Sequence, residues 1–126
     1  MKTINKTASK ILDRLTAGLE VGDARKIAKS ESFMPVHIER LSERLYSVAH
    51  YFEQNGDLMS DPRMEFWRAE TGAWIPTYIE MHATGYTRTA VELEDDKPVR
   101  FAPRQLADQV SFTHDWMRNI KDQQGL

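Results

Sequence analysis

The middle of the chain carries residue types that could bind a ligand. They are an imidazole at His50, a side-chain amide at Asn55, and carboxylates at Asp57 and Asp61. Such oxygens suit a hard cation, Mg²⁺ or Ca²⁺, although calcium loops have a longer oxygen series that ends in a glutamate. The structural alternative is a tight turn at Asn55 and Gly56, held by the neighbouring carboxylates through backbone amides. We favour the turn, and expect a buried or half-buried His50 bonded to a backbone carbonyl or to Asp57.

The same block could instead belong to an enzyme. With Glu53 added, His50, Asp57 and Asp61 would form the acid–base site of a small hydrolase dependent on a divalent cation. The chain has no Gly-x-Ser-x-Gly elbow, no phosphate-binding glycine loop, no His-Glu-x-x-His, no dinucleotide fingerprint and no cysteine. We therefore name no catalytic residue, no metal ligand and no cofactor, and keep the hydrolase as an alternative.

Two histidine–glutamate pairs are spaced for a shared strand face. His37 and Glu39 are two residues apart, as are Glu80 and His82. Each pair could supply two zinc ligands or an acid–base couple, but a zinc site needs a third and a fourth group. We expect these residues to be polar positions on the solvent side of a sheet.

Aromatic residues offer another surface. Trp67, Trp74 and Tyr78 lie on neighbouring predicted strands, where cross-strand aromatic packing under a helix is the simpler account. If they line an uncovered face instead, Trp74 with Arg88 would form a stacking surface for a base or for a partner's side chain. We keep both residues as binding candidates.

Helical periodicity is clear at the two ends of the chain. Apolar residues recur every three or four positions from Thr7 to Leu19, and again from Arg104 to Lys121 behind Pro103. Both patterns predict amphipathic helices, each of which must bury its apolar stripe against another element.

Between the helices the period changes to two. Runs such as "FMPVHIERL", "RLYSVAHYFEQ", "RMEFWRAE", "AWIPTYIEMHA" and "YTRTAVELE" predict strands, and their short glycine-containing connections predict antiparallel pairing. Pro76 indicates an edge strand or a bulge. The segment "DARKIAKSES" is compatible with a helix or a strand, and "LEDDKPVRFAP" with a polar connection. The predicted fold is a two-layer α+β single domain, residues 1–126, with a meander of four or five antiparallel strands packed with the N-terminal and C-terminal helices.

Composition limits the setting. The formal net charge is −2, with residues 1 to 48 net basic and residues 49 to 126 net acidic. This asymmetry permits a nucleic-acid-binding N-terminal region without requiring one. No apolar run approaches the length of a membrane span, and the N-terminus lacks the apolar core of a signal peptide. We expect a cytoplasmic protein with no membrane partner.

The block "HYFEQNGDLMSDPRMEF" carries a family likeness. Together with "FMPVHIERL" and "WMRNIKDQQGL" it resembles a bacterial family of small uncharacterised proteins that are common on plasmids and on integrating or conjugating elements. The signature of that family is His-Tyr-x-x-Gln-Asn-Gly-Asp-Leu-Met-x-Asp-Pro-x-Met, and the likeness extends over residues 33 to 124. It implies a mobile-element setting and no assigned reaction. The expected function is therefore a non-enzymatic accessory protein that binds another protein, with nucleic-acid binding as the alternative.

Overall fold

The computed structural model describes all 126 residues. Two helices enclose the strands in chain order. The helices are α1 (Lys6–Thr16) and α2 (Pro103–Gln124), and the strands are β1 (Ala24–Ile27), β2 (Val36–Arg40), β3 (Leu45–Gln54), β4 (Asp57–Arg68), β5 (Trp74–Met81), β6 (Tyr86–Thr89), β7 (Val91–Glu94) and β8 (Lys97–Phe101). Neither helix is long and apolar enough to cross a membrane.

The main sheet is an antiparallel meander in the order β1 to β6. The predicted α+β class with a helix at each end is confirmed, but the prediction of four or five strands is wrong because the sheet has six. The ambiguous segment after α1 forms β1, whose Arg25 and Ile27 pair with Ile38 and Val36 on β2. The segment has only one large apolar residue, so its sequence does not distinguish a helix from a strand. Its pairing with β2 makes it a strand.

A second, two-stranded sheet forms where we expected a polar connection. Strands β7 and β8 pair around Asp95 and Asp96, which have φ values of 51° and 59°. Two successive positive φ angles make the tight turn that suits a β-hairpin, and aspartate tolerates them better than most residues. The run predicted as one strand therefore divides at Ala90, with β6 in the main sheet and β7 in the hairpin.

Helix α1 is shorter at its C-terminal end than its apolar pattern suggests. The Asn5 side chain caps its N-terminus by accepting a hydrogen bond from the Ala8 amide at 2.8 Å. At the C-terminal end of the helix, the Arg25 guanidinium donates hydrogen bonds to the carbonyl oxygens of Leu15 and Ala17. The chain then leaves the helix through Gly18, at φ 78°.

Both helices contribute to one hydrophobic cluster on a single face of the main sheet. From the helices the cluster takes Leu12, Leu15, Leu106, Met117 and Ile120, and from the sheet Val36, Ile38, Val48, Met64, Phe66 and Ile79. The alternation of strand side chains places the intervening polar residues on the opposite face. The two-layer arrangement therefore leaves that face without a helix over it.

The bulge expected at Pro76 is present. Strand β5 lies between β4 and β6, and its register against β4 shifts between Glu65 and Phe66. Proline cannot donate a ladder hydrogen bond. An internal strand can therefore contain proline only where the ladder is interrupted. At this bulge the Thr77 hydroxyl donates a hydrogen bond to the Glu65 carbonyl at 3.2 Å.

Candidate functional site

The motif around Asn55 forms a projecting two-stranded arm. Asn55 and Gly56 have φ values of 53° and 85°, which is the two-residue hairpin turn that Asn-Gly favours. Around that turn, residues 51–54 and 57–60 pair with one another. The prediction of a turn that continues to Pro62 is wrong, because β4 begins at Asp57 and the strands continue beyond the body of the sheet.

The carboxylates of this arm do not hold the turn. The side chains of Asp57 and Asp61 accept no hydrogen bond, so the expectation that they bind the backbone amides is wrong. The positive φ angles of Asn55 and Gly56 form the turn without them. No group of three or more His, Cys, Asp or Glu side chains is placed to hold a metal ion. Asp57 and Asp61 are four residues apart on the extended strand β4, which places them about 13 Å apart along the strand.

Replacing Asp57 with asparagine should leave stability nearly unchanged. The side chain is exposed and unbonded, so we expect the free energy of unfolding to change by less than about 0.5 kcal/mol. Thermal denaturation with EDTA and with added MgCl₂ should give the same midpoint for Asp57→Asn and for the unmodified chain. A denaturation midpoint that rises with Mg²⁺ only in the unmodified chain would show that Asp57 binds the cation and would contradict this prediction.

His50 is buried, as predicted, but the expected hydrogen bond to a backbone carbonyl or to Asp57 does not form. The residue is 6% exposed, and its ring packs edge-on against Trp116 of α2, with ring centroids 5.6 Å apart. The His50 Nε2 and Trp116 Nε1 atoms are both buried without a hydrogen-bond partner. Burial lowers the pKa of His50, the Asp61 carboxylate opposes that change, and His37 adds to it. His50 is therefore a neutral packing residue at pH 7, not the partner of Asp57.

The lowered pKa of His50 predicts a loss of stability on acidification. Because the unfolded chain takes up the proton first, the free energy of unfolding should fall as the pH drops below about 6.5, the ordinary histidine value. Urea denaturation at pH 7.5, 6.5 and 5.5 should show this slope, and His50→Gln should reduce it. His82→Gln, which changes an exposed imidazole, is the control that should keep it. An NMR titration that places the His50 pKa at or above 6.5 would contradict the prediction.

The uncovered sheet face contains a connected group of polar side chains at its centre. Arg63 on β4 lies 2.9 Å from a Glu65 carboxylate oxygen and 3.8 Å from Glu80 on β5. All three side chains are 22% exposed or less, so solvent screens their interaction only in part. One guanidinium therefore serves two carboxylates.

Glu80 is the centre of this group. It accepts hydrogen bonds from the Tyr78 hydroxyl at 2.9 Å and from the Ser60 hydroxyl at 3.2 Å, and His82 Nε2 lies 3.5 Å away. Burial, followed by the hydrogen bond to Glu80, raises the pKa of Tyr78. Tyr78 therefore remains a neutral donor at pH 7, and these contacts fix the Glu80 carboxylate in position.

The two predicted histidine–glutamate pairs lie on this face but do not meet. His37 and Glu39 are on β2, and Glu80 and His82 are at β5, with β3 and β4 between those strands. Three strand spacings separate the pairs by about 14 Å. His37 packs edge-on against Tyr51 with ring centroids 5.1 Å apart, and burial lowers its pKa, with Lys26 adding to the effect. The pairs are separate polar positions, as expected.

The β7–β8 hairpin forms a wall at one end of the uncovered face. At its turn, the Asp96 carbonyl accepts a hydrogen bond from Trp67 Nε1, and the Asp96 carboxylate accepts one from the Arg44 amide, both at 2.9 Å. At its base, the Ala102 amide donates to the Ala90 carbonyl at 2.8 Å. A groove of about 510 Å³ lies between this wall and the sheet, next to Glu65 and Tyr78.

Trp74 and Arg88 are not part of the uncovered face. Trp74 is fully buried under α1, and its Nε1 donates to Asp13 at 2.8 Å. Arg88 is opposite the buried Ile79 and lies over the Tyr86 ring at 4.4 Å. The stacking surface would need Trp74 on the uncovered face, whereas the structure places it in aromatic packing under a helix.

Sequence reasoning missed the residues that organise the uncovered face. In "PRMEF" the polar Arg63 and Glu65 alternate with the buried Met64 and Phe66, which was the available signal. The partner of Arg63 on the next strand depends on register across a bulge, and the sequence does not show that register.

Part of the basic N-terminal region is used within the fold. The Arg40 guanidinium donates to the carbonyl oxygens of Leu19, Ser42 and Glu43, and Arg25 donates to two carbonyls at the end of α1. These arginines cap loops and a helix end. Fewer free cations are therefore left for phosphate contacts than the composition suggests.

Comparison with known proteins identifies a family but no reaction. No curated protein and no solved structure matches the chain. The model of a family described as Domain of unknown function (DUF6908) matches residues 6–126. This match includes both helices and all eight strands, and the chain therefore belongs to the DUF6908 family of domains of unknown function.

Proposed function

We propose that the chain is a non-enzymatic binding protein that holds a protein partner on its uncovered sheet face. The observation that carries this proposal is the groove between that face and the β7–β8 hairpin. The hairpin turn is hydrogen-bonded to Arg44 and Trp67, and at its base the Ala90 amide donates to the Thr77 carbonyl of β5 at 2.7 Å, so the groove is formed before a partner arrives. A preformed surface loses less conformational entropy on binding than one that must first become ordered.

The chemistry of the face supports a protein partner. At its centre Glu65 and Glu80 share one guanidinium, and Tyr78 and Leu45 add aromatic and aliphatic area beside them. Mixed polar and apolar surfaces of this kind are typical of non-obligate protein interfaces. The loop-capping role of Arg25 and Arg40 makes the nucleic-acid alternative less well supported.

The proposed setting is the cytoplasm of a bacterium, with the chain as an accessory protein of a mobile element. This part of the proposal is supported by the likeness of the "HYFEQNGDLMSDPRMEF" block to a family common on plasmids and on integrating or conjugating elements. It assigns no reaction to the chain.

Panning a phage-displayed random peptide library against the chain tests the proposed binding face. Thr89 is exposed in the groove, so Thr89→Trp should obstruct the groove and weaken the selected peptides by about tenfold or more, equivalent to 1.4 kcal/mol. Ser111→Trp places the same side chain on the exposed side of α2 and is the matched control. Peptides that lose affinity equally for both variants, or only for Ser111→Trp, would overturn the proposal.

A further inference from the structure

The groove beside the β7–β8 hairpin has more negative than positive groups. Its ionised side chains are the carboxylates of Glu65, Glu92 and Glu94 and the guanidinium of Arg100. Arg100 is paired with Glu92, while Glu94 has no ion-pair partner. Glu65 must share Arg63 with Glu80. The groove can therefore accept additional positive charge.

The walls of the groove also provide aliphatic surface. Leu45 lies on the sheet side, Leu93 and Val99 lie on the hairpin side, and Val99 is 44% exposed. Lysine and arginine carry three or four methylene groups beneath their charges, and they commonly pack those stems along apolar surface. Carboxylates next to aliphatic side chains suit such residues better than they suit a compact ion.

The shape of the groove favours an extended chain. The hairpin crosses from the edge strand β6 to the end of β3 and β4, where Asp96 is bonded to Arg44 and Trp67. The groove consequently runs across several strands and is open along its length. Its volume of about 510 Å³ accommodates a few side chains and is too small for a folded domain.

We propose that this groove receives an extended, lysine- or arginine-bearing segment of the partner protein. The inference rests on the proposed function, since it names the chemistry of the partner on the same face. Charge complementarity and aliphatic contact favour a basic segment, and the course of the groove across several strands favours an extended one.

Fluorescein-labelled peptides test the inference with the full chain. Three peptides of equal length, in which threonine alternates with lysine, glutamine or glutamate, carry positive, neutral and negative side chains, and fluorescence anisotropy measures their affinities. We expect the lysine peptide to bind about tenfold or more tightly than the glutamine peptide, and the glutamate peptide to bind most weakly. The affinity of the lysine peptide should also decrease as salt is added.

Charge variants locate the binding. Glu65→Gln combined with Glu94→Gln should weaken the lysine peptide by about tenfold. Glu31→Gln removes one exposed carboxylate outside the groove and should leave the affinity unchanged. Circular dichroism checks the fold of each variant. If the first pair fails to fold, Glu92→Gln with Glu94→Gln changes only exposed hairpin residues and should give the same loss.

Three results would overturn the inference. They are equal affinities for the lysine and glutamine peptides, an equal loss with Glu31→Gln, and a dimer of the chain that dissociates in the Glu65→Gln, Glu94→Gln variant. The Thr89→Trp variant distinguishes failure of this inference from failure of the proposed function. Suppose that the glutamine peptide binds as tightly as the lysine peptide and that Thr89→Trp weakens it. The face then still binds protein segments, and only the selectivity for basic residues is wrong. If it weakens no peptide, both proposals fail.

Discussion

Replacing Trp74 with alanine is expected to lower the free energy of unfolding by about 3–5 kcal/mol. The side chain is fully buried and meets the Tyr46 ring at a centroid distance of 5.1 Å, while the Arg68 guanidinium lies 5.1 Å from its ring. Its Nε1 donates to Asp13 on α1, so the same residue joins the helix to the sheet. Truncation would remove these contacts and leave a cavity that the surrounding strands cannot fill.

Urea denaturation followed by circular dichroism at 222 nm measures this effect without relying on tryptophan fluorescence. Trp74→Phe is the matched variant, because it keeps most of the apolar volume and loses the hydrogen bond. Asp13 is 45% exposed on its side chain, so water can replace that bond, and we expect a cost of about 1–2 kcal/mol. A loss below about 1 kcal/mol for Trp74→Ala would show that the residue does not hold α1 on the sheet.

Replacing Arg63 with methionine is expected to lower the free energy of unfolding by about 1–3 kcal/mol. The substitution keeps an unbranched side chain and removes the one guanidinium that serves both Glu65 and Glu80. Those carboxylates, 21% and 15% exposed, would then face each other without a countercharge. Half-buried charges that lose their partner are costly because the remaining charge is still partly desolvated.

A double-mutant cycle assigns this loss to the pair. Glu80→Gln in the Arg63→Met background should recover about 1 kcal/mol, because it removes one unpaired charge. Arg63→Lys should keep only part of the stability that arginine provides. Its ammonium group lacks the planar fork with which a guanidinium can contact both carboxylates. Arg118→Met breaks an exposed pair on α2 and should cost under about 0.5 kcal/mol. If Arg63→Met costs no more than Arg118→Met, the polar group does not stabilise the uncovered face.

Local patterns predicted the elements that have one strong period. The stripes in α1 and α2 and the alternation in β2 each place apolar residues on one face, and those faces form the core. The β7–β8 hairpin was missed because its turn uses Asp95 and Asp96 instead of a glycine. Strand β1 could not be assigned because its strand character depends on pairing with β2.

The candidate site was predicted only in part, for a related reason. The shared face of Glu80 and His82 follows from their spacing, and the burial of His50 follows from its apolar neighbours. The pairing of Arg63 with Glu80 depends on the register between β4 and β5, which shifts at a bulge. The bonding expected for Asp57 and Asp61 was wrong because the two positive φ angles of Asn-Gly already complete the turn.

The sequence by itself determined the α+β class, the two terminal helices, the antiparallel order of the central strands and the Asn55–Gly56 turn. These features depend on residue period and backbone preference, which act over a few neighbouring positions. Only the tertiary structure decided which polar side chains meet, that Trp74 lies under α1, and that a hairpin bounds a groove on the uncovered face. Those outcomes depend on strand register and on packing between segments that are far apart in the sequence. A pattern read over a few neighbouring residues does not include these interactions.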